Sequence, residues 1–173
     1  ALIHHDGVAS ILATGGNAMV KAAYSCGKPA MGVGAGNVPA YINKSANVEQ
    51  AVNDIVISKS FDNGMICASE QAVIIDEDIY NEATALFKKF KAYFVNKEEK
   101  VKLSRYMFGK AVGDEDVENA KLQPALVGQS AYWIASQAGF SVPEDTSILC
   151  VPCTTVGPKE PISREKLSPV LAV

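Results

Sequence analysis

Residues 11–33 hold two short apolar runs, Ile11-Leu12-Ala13 and Pro29 to Val33, with a helix-spaced segment between them. Glycines punctuate both junctions, at Gly15-Gly16 and at Gly27. This strand–turn–helix–turn–strand order constrains the fold more than any other feature. Two strands joined through a helix of this length form a βαβ unit, which implies a parallel sheet. Met19, Ala22, Ala23 and Cys26 mark the helix, Asn17 is its expected cap, and Gly27 with Pro29 ends it. Lys28 near that end suits the helix dipole.

No internal repeat follows in the remaining chain. Pro39 to Ile42 predicts a short strand. Asn47, with Gln50 three residues on, predicts a capping box before a helix bearing Val48, Ala51, Val52 and Ile55. That helix runs out near Phe61, and the polar turn Asp62-Asn63-Gly64 leads to Met65-Ile66-Cys67-Ala68-Ser69-Glu70. A strand is predicted over 71–75, then an amphipathic helix marked by Ile79, Ala83, Leu86, Phe87 and Phe90. Further helices are expected over 97–108, capped by Asn96, and over 130–137, stopped by Gly139. Strands are expected over 146–151 and 169–173, and residues 109–128 carry no clear pattern. The fold class is therefore α/β.

Composition narrows the function classes. Sixteen Lys and Arg oppose 19 Asp and Glu among 173 residues, for a net charge of −3, and 48% of residues are apolar. The chain is too apolar for disorder and can bury a core without staples. A pI near 5.4 argues against a nucleic-acid partner. No apolar run approaches the roughly 20 residues of a membrane span. Ala1 to Asp6 lacks a basic n-region and an apolar stretch, so a cytoplasmic location is expected. Cys26, Cys67, Cys150 and Cys153 are too few and too unevenly spaced for a secreted disulfide framework.

Cys67 is the leading candidate for chemistry. It follows a glycine turn and precedes a strand, on a loop held by rigid elements, where a thiol can act as a nucleophile or simply as a small buried hydrophobe. Cys150-Val151-Pro152-Cys153 has zinc or redox spacing, but no second ligand pair exists and it ends a strand, so it reads as two plain thiols. His4-His5-Asp6 is a poor metal site, and no metal is expected in this chain. Gly32, Gly34 and Gly36 only superficially match a dinucleotide fingerprint, because Pro39 and a strand follow them. Their spacing implies a backbone thin enough for a substrate, a cofactor or a neighbouring strand to approach. Thr14-Gly15-Gly16, ahead of a helix, is better placed to meet a phosphate or a ribose, or is a tight turn.

In order, Thr14-Gly15-Gly16, Gly32 to Pro39, Phe61-x-x-Gly64-x-x-Cys67 and Glu165-x-x-Ser168-Pro169-Val170 resemble the aldehyde dehydrogenase superfamily. Residues 11–37, 60–71, 127–129 and 138–143 resemble its coenzyme-A-acylating branch, in particular the aldehyde dehydrogenase half of bifunctional aldehyde–alcohol dehydrogenases. The resemblance implies a three-layer αβα fold with a mostly parallel sheet, truncated here. It implies the end of an NAD-binding domain over 1–45 and an incomplete catalytic domain over 46–173. Cys67 falls on the catalytic nucleophile. Gly15 and Gly16 fall in the turn that passes the cofactor, Gly34 borders the nicotinamide, and Glu165 falls on the residue that binds the nicotinamide ribose.

One departure is informative. Hydrolytic relatives carry a water-activating glutamate where this chain has Val33. Its loss fits acyl transfer to coenzyme A, whose thiol needs less activation than water. NAD is the implied cofactor, coenzyme A and an aldehyde the implied substrates, and a homo-oligomer or filament the implied state of the intact parent. Iron is implied only for a separate alcohol dehydrogenase domain. The isolated chain is expected to be largely inactive. Alternative readings are an inert or filament-forming segment, and a stand-alone acylating enzyme.

Overall fold

The computed structural model describes residues 2–173 and divides into two compact units, one up to Gly36 and one from Asn37 onward.

The first unit is the predicted βαβ. Strands β1 (Ile11–Thr14) and β2 (Ala30–Val33) pair in parallel, and helix α1 (Asn17–Tyr24) connects them. Asn17 is the first helical residue rather than the cap. Gly16 takes the extended cap conformation and offers no side chain to the helix. Gly32 is explained by packing, because a Cβ there would stand 2.6 Å from Val20 and 2.9 Å from Tyr24. The bare backbone lets Tyr24 Oη accept from Gly32 N at 2.9 Å. The register partners Leu12 and Met31 are 81% and 72% exposed, so their face of the two-stranded sheet is uncovered within this unit.

The second unit is a five-stranded, all-parallel sheet. Its strands are β3 (Pro39–Ile42), β4 (Ala72–Ile75), β5 (Ala92–Phe94), β6 (Ile148–Val151) and β7 (Val170–Ala172), in spatial order β3-β4-β7-β6-β5. Helices α2 (Val48–Ser60) and α3 (Tyr80–Lys89) bury their apolar faces with Ile42, Val73, Ala92, Ile148, Cys150 and Leu171. Helices α4 (Lys97–Phe108) and α5 (Ala131–Ala138) do so with Ala72, Leu149, Val151, Val170 and Ala172. The alternation follows from the two-residue period of a strand. Because β6 and β7 are covered on both faces, every residue in them is buried and apolar, as parallel sheets between helices require. This is the αβα arrangement expected.

The caps explain where the helices start. Asn47 accepts from Gln50 N, but the Gln50 side chain bonds Asp54, so the expected box is half made. Asn96 and Glu99 form a complete box. Gly139 closes α5 at φ 83°. Residues 109–128 hold only two 3₁₀ turns, Val117–Asn119 and Pro124–Leu126. Among the described residues, no helix is long and apolar enough to cross a membrane.

Candidate active site

Cys67 lies between α2 and β4, on a loop whose shape begins with backbone strain. Asp62, Asn63 and Gly64 all adopt positive φ, at 49°, 51° and 67°. Asp and Asn tolerate this conformation better than most side chains. At Gly64 no side chain fits, since a Cβ would meet the Ser168 carbonyl oxygen at 2.5 Å. The loop then closes on itself. Ser69 N donates to Ile66 O at 3.0 Å, and Ser69 Oγ donates to Gly64 O at 3.4 Å. Cys67 sits inside this closure and is the exposed cysteine of the four. Ile57, Ser58, Phe61, Ile66, Ala68 and Ser69 line a cleft beside it.

Two of the other thiols, Cys150 and Cys153, are unsuited to nucleophilic work. Cys150 is fully buried, and burial pushes its thiol far up. Cys153 is half-buried, and burial with the Glu160 charge raises it too, against the opposing pull of Lys100. Lys100 Nζ reaches Glu160 Oε2 at 2.8 Å and Cys153 Sγ at 3.5 Å. Among the described residues, no three His, Cys, Asp or Glu side chains gather to hold a metal ion.

Glu165 lies on the loop entering β7. Because β4 and β7 are parallel neighbours, paired at Ala72 and Ala172, the two loops that lead into them arrive side by side. The structure thereby brings the Glu165 and Cys67 loops together, although 98 positions separate these residues in the chain (165 − 67). Leu167 follows at φ 47°. Asn63 Nδ2 donates to Gly128 O at 2.9 Å, and Gly128 N donates to Leu167 O at 3.3 Å, so Gly128 bridges both loops.

Sequence reasoning missed the buried polar groups beneath these loops. Lys59, Gln71 and Lys166 are each completely buried. Lys166 Nζ donates to Ile162 O, Arg164 O and Gln71 O at 2.7, 2.9 and 2.8 Å. Burial, reinforced by Lys59, drives its ammonium well below the usual lysine range. Lys59 Nζ makes only long contacts, to Ser69 Oγ at 3.3 Å and Gln71 Oε1 at 3.4 Å. Burial lowers it to about 8, against the opposing charges of Glu70 and Glu165. A signal for Lys59 was present, since it lies four positions after Ile55 on the buried face of α2.

Gly15, Gly16 and Gly34 belong to the first unit. Gly15 N donates to Val33 O at 3.1 Å, continuing the β1–β2 ladder. Gly16 heads α1 with open space where a side chain would stand. A Cβ on Gly34 would meet Asn17 Oδ1 at 2.8 Å. The thin backbone at Gly34 therefore admits the side chain that opens α1.

Residues 1–104 match the family model described as the aldehyde dehydrogenase family. The chain belongs to that family. It is 65% identical over all 173 residues to the aldehyde-alcohol dehydrogenase of Streptococcus pneumoniae serotype 4, of which it spans 20%. An acetylating aldehyde dehydrogenase from Geobacillus thermoglucosidasius is 47% identical, with a TM-score of 0.87 over 99% of this chain and 36% of that one. A propionaldehyde dehydrogenase of Rhodopseudomonas palustris, solved with bound CoA and an acylated cysteine, is 32% identical. Its TM-score is 0.82, over 99% of this chain and 37% of that one. The chain thus spans about a fifth of the length of the aldehyde-alcohol dehydrogenases it matches.

Proposed function

We propose that the protein carrying this chain is a coenzyme-A-acylating aldehyde dehydrogenase. It interconverts acetaldehyde, coenzyme A and NAD+ with acetyl-CoA and NADH through a thioester on Cys67. The observation that carries this reading is the exposed Cys67, held on a closed loop beside the loop of Glu165. The acylated cysteine of the Rhodopseudomonas palustris relative supports it.

The Cys67 thiolate attacks the aldehyde carbonyl carbon and forms a hemithioacetal. Loss of a proton and a hydride from that adduct leaves the acyl group on Cys67 as a thioester. The coenzyme A thiol then attacks the acyl carbon and returns Cys67 as the leaving thiol. Backbone N–H groups around Cys67 hold the oxyanion in the two addition steps. A thiol acceptor needs little activation, so the reaction proceeds without a water-activating carboxylate at Val33.

The residues present fit a nicotinamide nucleotide. Gly16 leaves the head of α1 open, where backbone N–H groups and the helix dipole favour an anionic group. When bound, the nicotinamide supplies the hydride acceptor. Gly15 and Gly16 are assigned to the turn that passes it, Gly34 to the backbone that borders it, and Glu165 to the ribose hydroxyls.

The 65% identity to an aldehyde-alcohol dehydrogenase supports a bifunctional parent; that the parent is cytoplasmic, self-associates and works fermentatively from acetyl-CoA toward acetaldehyde is part of the same proposal. Replacing Cys67 by Ala in the full-length enzyme abolishes acylating turnover while leaving the fold intact. Acyl-CoA-dependent oxidation of NADH by Cys67→Ala above background would sink the assignment.

A further inference from the structure

Glu165 has its backbone pinned on both sides. The Arg164 carbonyl before it accepts from Lys166 Nζ at 2.9 Å, and the Lys166 N–H after it donates to Gln71 Oε1 at 3.0 Å. The same Gln71 amide turns its Nε2 to Ser69 O, also at 3.0 Å, two residues from Cys67. Its main chain adds further ties. Gln71 O accepts from Lys166 Nζ at 2.8 Å and from Ala172 N at 3.1 Å, and Gln71 N donates to Val38 O at 2.9 Å. One completely buried side chain therefore bonds both loops at once, and it does so with both ends of its amide.

We propose that Gln71 is a positioning residue that sets the Glu165 carboxylate at a fixed separation from the Cys67 thiol. It touches neither the nucleotide nor the acyl group, and the role rests on the reading of Cys67 and Glu165 given above. A buried amide with partners for donor and acceptor is suited to this, because displacement of either loop would leave one of its ends unpaired at high cost. The Gly128 bridge joins the same loops independently, so the fold does not depend on Gln71 alone.

The test is steady-state kinetics of the full-length enzyme, with active molecules counted by labelling of Cys67. Gln71→Met keeps the length and loses the amide. It should raise the nicotinamide nucleotide KM about tenfold, the scale of one lost buried hydrogen bond, and leave the coenzyme A KM within about twofold. Gln71→Asn, one methylene too short to span both loops, should do the same and serves if the methionine variant does not fold. Gln71→Glu retains the acceptor for Lys166 N but sets an oxygen against Ser69 O in place of the amide donor, so it should raise the nucleotide KM at least as much as Gln71→Met. In a double variant with Glu165→Gln, the two effects should not multiply, because both act through one carboxylate. A merely structural role would lower the count of active molecules and leave their KM unchanged. That result, or fully multiplicative effects in the double variant, overturns the proposal. If Glu165→Gln itself leaves the nucleotide KM unchanged, the ribose assignment fails; if only the Gln71 variants do, the positioning role alone fails.

Discussion

Lys59 shows how a single residue can work against the fold that contains it. Its ammonium is buried with two long contacts, and burial lowers its pKa from 10.5 to about 8. Between those values the unfolded chain binds the proton and the folded chain does not. Stability from this group therefore rises as pH climbs from about 8 to 10.5, and its full cost is felt below pH 8. Lys59→Met should stabilise the chain at pH 7 by about 1–3 kcal/mol and flatten that rise. Ser69 Oγ still donates to Gly64 O and Gln71 Oε1 still accepts from Lys166 N, so the replacement strands no partner. Denaturant melts at pH 7 and pH 10 would show it. A methionine variant less stable at pH 7 would contradict the account. Gly64 is the complementary case, where a positive φ and the Ser168 carbonyl exclude every side chain.

At the scale of elements, boundaries follow local chemistry. Helix α4 has a mean composition that is strongly polar, and it starts where Asn96 and Glu99 close a reciprocal box. Asn96→Ala should cost about 1 kcal/mol, read as a lower denaturant midpoint with unchanged slope. The elements with strong local signals were legible in advance: β3 at Pro39–Ile42, α4 with its cap, and α5 between Ser130 and Gly139. The segment 109–128 was not, because its order is imposed from elsewhere. Arg164 donates to the carbonyls of Val117, Glu118 and Ala120. Such long-range donors leave no periodicity in the segment they hold. The capping-box reading at Asn47 was half right for a similar reason, since Gln50 found a partner in Asp54.

At the scale of the whole molecule, the two units differ in how much apolar surface they bury. Among the described residues, the first buries only Ala13 and Ala23 of its apolar side chains, while β6 and β7 are enclosed on both faces. Hydrogen exchange should reflect this, with the slowest amides in β6 and β7 and the fastest strand amides in β1 and β2. Equal protection in the two sheets would count against this division. The sequence by itself determined the local grammar: one parallel βαβ unit, the caps of later helices, and a cysteine on a loop before a strand. These depend on interactions within a few residues and on hydrophobic period, both of which a linear chain records. Only the tertiary structure decided that β7, last in the chain, lies beside β4 and so carries Glu165 to the Cys67 loop. It also decided that Lys59, Gln71 and Lys166 are buried together beneath that meeting point. The physical reason is that strand order and polar satisfaction are set by pairing between distant segments, and no local pattern encodes which partner a buried amide will find.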